Sequence, residues 1–163
     1  MKNDTTHIYE YMNINGEEYL NQTWLKNSKG DTVGGYHYKL EKLKDTIKVN
    51  EGIILRLYLS GWMLSDSSDL SLVLPLKHEK FKDDFSNLNQ IKTDTVYSLK
   101  YDSINNHFKE MPLNHMLMFG YEFDTSGEKT LRGILVEKEL LNNDKWKSKE
   151  RYIYFDKKIM VKD

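Results

Sequence analysis

"IILRLYLS", residues 53–60, places Ile53, Leu55, Leu57 and Leu59 on one side of an extended chain and Ile54, Arg56 and Tyr58 on the other. Such a period of two reads as a half-buried strand. A helix would need apolar residues at spacings of three and four, and Arg56 interrupts that stripe. Just upstream, "TIKVN" (46–50) alternates as well, with Ile47 and Val49 on one face, and "NEG" (50–52) turns the chain between the two.

The same pattern recurs downstream. "LSLVLPL" (70–76) is a short apolar run whose Pro75 cannot donate to a ladder, so the strand ends there or lies at an edge. "KHEKFKDDFSNLNQ" (77–90) is polar, with Phe81, Phe85 and Leu88 spaced for one or two helical turns or an irregular connection. "DTVYSLKYD" (94–102) alternates, and "SINNH" (103–107) reads as a turn. "HMLMFGYEFD" (115–124) puts Leu117, Phe119, Tyr121 and Phe123 on one face, and "TLRGILVEKEL" (130–140) follows. "RYIYFDKKIMVKD" (151–163) is a last strand or strand pair, bent near Asp156-Lys157-Lys158. About seven strands from residue 45 onward, with turn signals between them, predict a mostly β protein: an Ig-like antiparallel β-sandwich over residues 45–163.

Residues 1–44 are expected to form an N-terminal extension, packed on that domain or paired to a sheet edge. Within it, residues 1–6 read as a polar tail, and Asn27 to Asp31 as a turn. Residues 17–26 read as one arm of a hairpin, with a short helix as the alternative because Tyr19, Leu20, Trp24 and Leu25 fit one helical face.

Between residues 124 and 129, Asp124-Thr125-Ser126-Gly127-Glu128-Lys129 joins two strands. Asp and Ser bond locally to backbone and Gly127 accepts a positive φ, so a corner is favoured. A calcium loop needs more oxygen ligands in a defined order, and Lys129 adds a positive charge. Leu131 stands where a tyrosine corner would place Tyr.

Three segments, "DTIKVNEGIILRLYLSG" (45–61), "YEFDTSGEKTLRGILVE" (121–137) and "RYIYFDKKIMVKD", together resemble uncharacterised bacterial exported proteins, many of them lipoproteins with an Ig-like domain. The resemblance covers residues 45–163. It implies a cell-envelope or periplasmic location with a lipid anchor lost from the chain; it implies no activity.

Composition excludes several chemistries. The chain of 163 residues has no cysteine, hence no disulfide, thiol nucleophile, thiolate zinc site or iron–sulfur ligation. Its 24 basic and 25 acidic residues are dispersed, with no basic stripe for a phosphate backbone, so nucleic acid is not an expected partner. No apolar run approaches the ~20 residues that span a bilayer. "MKNDTTH" lacks the apolar core of a signal peptide, which leaves a cytoplasmic protein or one whose targeting segment was removed.

Catalytic and metal motifs are weak. His78-Glu79 resembles half of a zinc-hydrolase motif, but Lys82 stands where the second histidine belongs. His107 and His115 flank Pro112, and surface histidines are the expectation there. "SDSSD" (65–69) offers Asp66 and Asp69 to a cation, though a plain loop is expected. Gly34-Gly35 alone is no phosphate cradle. No cofactor or metal is expected.

The aromatic residues are the stronger candidates. Trp146 in "NNDKWKSKE" lies among polar residues, Trp62 follows strand 53–60 as a plug, and Tyr36 and Tyr38 share a face around His37. Trp24, Tyr36, Tyr38 and Trp146 are therefore the ligand-binding candidates, for an unknown protein or glycan partner. The expected function is a non-enzymatic, envelope-associated binding or scaffold module. The alternatives are a carbohydrate- or peptide-binding module, and a hydrolase whose site is assembled from distant residues.

Overall fold

In the computed structural model, the described residues are 4–42, 47–61, 63–102, 112–141 and 147–163. Among them the protein is mostly β, with no α-helix and two single 3-10 turns, Leu99–Tyr101 and Leu113–His115. The strands are β1 (Thr6–Ile14), β2 (Glu17–Lys26), β3 (Thr32–Gly34), β4 (Tyr36–Lys42), β5 (Ile47–Lys48), β6 (Ile53–Gly61), β7 (Asp69–Pro75), β8 (Thr93–Tyr97), β9 (Met116–Tyr121), β10 (Gly127–Leu140) and β11 (Ser148–Lys162). They form three antiparallel or mixed sheets that include a curled half-barrel. The sheet orders are β1-β2-β3, β4-β6-β9 and β5-β11-β10-β7-β8, and β5 runs parallel to β11.

Alternation builds the core. Ile53, Leu55, Leu57 and Leu59 of β6 are all buried, while Ile54 is 46% exposed. They meet Leu70, Leu72 and Leu74 of β7, Leu117 and Phe119 of β9, Leu131 and Leu135 of β10, and Ile153 and Phe155 of β11. The core is thus shared by the three-stranded β4-β6-β9 sheet and the five-stranded sheet. Tyr58, on the opposite face to Leu57, is also buried; its hydroxyl donates to Glu41 Oε1 at 3.2 Å, and Arg56 pairs with the same carboxylate.

Strand β10 is covered on its other face too. Ile134 packs with Phe81 and Phe85 of the 76–92 connection, together with Met12 and Ile14 of β1 and Tyr154 of β11. Arg132, also pointing that way, holds Asp156 at 2.8 Å, Asp83 at 3.0 Å and the Phe81 carbonyl at 3.3 Å. The polar connection therefore folds down as irregular turns over the sheet.

The N-terminal sheet closes the gap between β4 and β11 with three consecutive side chains of β2. Asn21 donates to the Tyr154 carbonyl and accepts from the Tyr154 N–H, both at 2.8 Å, as a neighbouring strand would. Gln22 Oε1 accepts from Tyr38 N–H at 3.1 Å, and Thr23 Oγ1 from Tyr36 N–H at 3.0 Å. Asn21 and Gln22 are accordingly 1% and 4% exposed.

Some expectations hold and others change in detail. Residues 17–26 form a strand, not a helix, and the Asn27–Asp31 turn leads into β3, with Asn27 Oδ1 accepting from the N–H groups of Lys29 and Asp31. β1 has no counterpart in the sequence reading. β8 stops at Tyr97, and Leu99–Tyr101 winds into a 3-10 turn. β11 runs unbroken past Asp156-Lys157-Lys158 because it keeps register with β10 along its whole length. The 124–129 connection is a corner with Gly127 at φ 101°. Residues 103–107 and Trp62 lie outside the described residues.

Two glycines let backbones approach. Gly61 has φ 93°, and a Cβ there would collide with the Gly35 carbonyl; Gly35, at φ 105°, sits as tightly on Thr23. Gly61→Ala is expected to cost about 2–5 kcal/mol in urea unfolding, from strain plus overlap. Gly52→Ala, whose Cβ would meet nothing within 4 Å, is the control and is expected to stay within about 0.5 kcal/mol of the parent.

Candidate functional site

Four inward positions of β10, Leu131, Gly133, Leu135 and Glu137, share one face. Glu137 is therefore a carboxylate at the end of the core, with 0% exposure. Its Oε1 accepts from Leu64 N–H and from Ser68 Oγ, each at 2.6 Å. Ser68 Oγ also lies 2.9 Å from His115 Nε2 and 2.8 Å from the Ser65 carbonyl. Asn114 ties the same loop down, donating to the carbonyls of Asp66 at 2.9 Å and Ser68 at 2.7 Å. One buried carboxylate thus joins β10, the 63–69 loop and the 112–115 turn.

Serine, histidine and glutamate within hydrogen-bond reach invite comparison with a hydrolytic triad, but the order is wrong. In a triad the imidazole lies between the other two and takes the serine proton. Here the serine lies between them. It has one proton, and both the carboxylate and the Ser65 carbonyl can only accept, so the imidazole must donate from Nε2. Ser68 is also 0% exposed. It is a structural bridge, not an activated nucleophile. Among the described residues, Glu137 Oε2 and His115 Nδ1 are buried without a hydrogen-bond partner.

The cluster continues to the surface through Asp69. Lys100 Nζ donates to both Asp69 oxygens, at 3.2 and 3.0 Å, and Tyr101 OH donates to Oδ2 at 2.9 Å. Lys100 also lies 5.3 Å from the centre of the Tyr101 ring. Tyr97, at the end of edge strand β8, meets Tyr101 edge-on with ring centres 6.4 Å apart. Both tyrosines are 65% exposed. They form an aromatic pair held in place from beneath by an ion pair.

Of the sequence candidates, Tyr38 faces the core, 6.0 Å from the Phe155 ring, and is 8% exposed. Tyr36 is half-buried beneath the Arg151 guanidinium, 4.1 Å from its ring centre. Burial raises the hydroxyl pKa of both well above the ordinary tyrosine value, with Glu137 adding to the shift at Tyr36. Trp24 is half-buried against His37, at 5.6 Å. Trp146 and His107 lie outside the described residues. The structure brings Tyr36 and Tyr38 together on the inner face of β4, with Trp24 on its other side against His37. His115 is buried, because β9 begins beside it and draws it in. Asp69 is bound to Lys100 and Tyr101 rather than paired with Asp66. No group of three or more metal-ligating side chains exists among the described residues, and none of their helices is long and apolar enough to cross a membrane.

Sequence reasoning passed over Glu137, Ser68 and the Tyr97–Tyr101 pair. For Glu137 the signal was parity: it falls in step with Leu131 and Leu135.

No family model, curated protein or solved structure matches the chain.

Replacing Glu137 by Ala leaves the Leu64 N–H without its acceptor and the Ser68 hydroxyl proton with the Ser65 carbonyl alone, and is expected to cost about 1–3 kcal/mol in urea unfolding. Burial lowers the pKa of His115 from the ordinary 6.5, although Glu137, Asp69 and Asp66 pull upward. The unfolded chain then binds more protons than the folded one below about pH 6.5. The contribution of His115 is present above that pH and lost as pH falls through the depressed folded value. The slope of thermal stability against pH in that window is expected to flatten in His115→Gln.

Proposed function

We propose that this chain is a non-enzymatic binding or scaffold module built on an Ig-like sandwich, and that the Tyr97–Tyr101 pair is part of its contact surface. The strand order supports the finer fold reading. Taken as A-B-E, β4-β6-β9 faces β11-β10-β7-β8 as G-F-C-C′, with β5 beside the last strand. The chain lacks the inter-sheet disulfide of antibody domains, having no cysteine, and carries Leu131 instead of a corner tyrosine.

The observation that carries the binding reading is that pair: two tyrosines, each 65% exposed, pre-ordered through Asp69. Rigid aromatic side chains contribute contact area at little entropic cost, which suits a flat polar partner such as a glycan or an extended peptide. The buried polar cluster supports the non-enzymatic reading, since its serine is inaccessible and its proton is directed away from the imidazole. The envelope location belongs to the same proposal and rests on the sequence resemblance.

Labelled protein applied to immobilised glycans and peptides is expected to bind a subset of either. Tyr97→Ala/Tyr101→Ala is expected to weaken that binding about 30-fold or more, as loss of a hot spot does. Its thermal midpoint should stay close to the parent's, because both side chains are solvent-exposed. Equal binding by parent and variant, or no binding by either, contradicts the proposal. Turnover of an ester or amide substrate that Ser68→Ala abolishes would move the reading to a hydrolase.

A further inference from the structure

His37 of β4 points away from the sandwich core and into the N-terminal sheet. It is 2% exposed, and its ring stacks at 33° on Trp24 of β2, with centres 5.6 Å apart. It bonds to the backbone of Thr23, while Nδ1 has no hydrogen-bond partner among the described residues. The two seam bonds that dock β2 on β4 flank it on either side, at Tyr36 N–H and Tyr38 N–H. A neutral imidazole fits this place, because one ring nitrogen needs no partner beyond a modest desolvation cost. An imidazolium does not. Its second N–H would be a buried donor without an acceptor, attached to a buried charge.

The charges around it offer no relief. Those acting on the ring are Lys39 of β4 and Lys26 of β2, both cationic. Its cross-strand neighbour on β6 is Ser60, and β2 presents Trp24 and Thr23, all uncharged. Among the described residues, the charges that act on His37 include no carboxylate. His115, by contrast, has Glu137, Asp69 and Asp66 pulling toward protonation. The two buried histidines thus differ in their charges: carboxylates offset part of the cost of protonating His115, whereas the charges acting on His37 add to it.

We propose that His37 is an acid-sensitive latch: protonating its ring undocks the β1-β2-β3 sheet from the sandwich and bares the edges of β4 and β11. The sandwich core does not depend on this contact, since its members come from β4 to β11 together with Phe123. What is released is the edge that Asn21, Gln22 and Thr23 occupy. Uncovered, the backbone groups of Tyr36, Tyr38 and Tyr154 become available to pair with an added strand.

The test is residue-resolved amide exchange, corrected for intrinsic rates, at about pH 7.5 and about pH 5.5. The opening equilibrium is expected to rise about tenfold per pH unit between the two states' histidine pKa values. Only the interval below the exposed histidine's ordinary value of about 6.5 contributes, so protection at Tyr36, Tyr38 and Tyr154 should fall several-fold and at most about tenfold, while Leu131 and Leu135 of β10 keep theirs. In His37→Phe, which keeps a ring against Trp24 but cannot be protonated, the seam amides should keep their protection at both pH values. His37→Gln serves as second variant, and direct titration of the His37 ring in the unmodified protein as a check that needs no substitution. Seam amides that are equally protected at both pH values in the unmodified protein overturn the proposal. So does loss of protection in step with β10, or an unaltered pH response in both variants.

Discussion

Strand β10 has no solvent face through its middle. Leu131, Gly133 and Leu135 look into the core shared with the β4-β6-β9 sheet, while Ile134 and Val136 look into the second apolar cluster under the 76–92 connection and β1. Its cross-strand partners are β7 on one side and β11 on the other. Every layer of the molecule is therefore positioned by one strand. Gly133 illustrates the tightness: a Cβ there would stand 2.5 Å from Cε1 of Phe155, so the glycine on β10 is the space into which the Phe155 ring on β11 fits. Interiors packed this closely transmit a change at one face to the other.

The two ends of this arrangement are finished with polar groups in different ways. At one end Glu137 continues the inward face of β10 and replaces an apolar plug with a hydrogen-bonded one. At the open side, β2 supplies amide and hydroxyl side chains in place of strand backbone. Both devices answer the same requirement, that buried donors and acceptors find partners. They also fix what is left to face solvent. With Asp69 drawn into the Glu137 neighbourhood, Lys100 and Tyr101 are anchored from below, and the aromatic pair at the β8 edge is rigid rather than splayed.

Much of the sheet framework was legible because period two is unambiguous where one face is apolar, as in β6 and β9, while β7 and β10 read as short apolar runs beside turn residues. β1 escaped because "THIYEYMNI" puts Tyr9 and Tyr11 on one face and Ile8, Met12 and Ile14 on the other, with polar residues on both, so neither face is cleanly apolar. The missed signal is Asn15-Gly16, which follows it directly. Both residues have positive φ, 54° and 86°, as a two-residue hairpin loop demands. At the site, tryptophans drew attention for their size, yet the most exposed aromatic rings among the described residues are Tyr97 and Tyr101. Their alternation looked like continuing strand, and a strand would have separated them onto one face without the 3-10 turn that folds Tyr101 back. Ser68 and His115 lie 47 positions apart in the chain, so only the fold brings them together. His37 was read merely as a spacer between tyrosines, although alternation places it on the face opposite theirs.

The claim on which all of this turns is that β10 is the organising strand, buried on both faces. Native-state amide exchange under mild denaturant measures it most directly. The account predicts that Leu131 to Glu137 exchange only through global unfolding, with the largest opening free energies in the chain, while β1 amides open at lower energy. Opening of β10 before β6 and β7, or β1 amides as slow as those of β10, would contradict it.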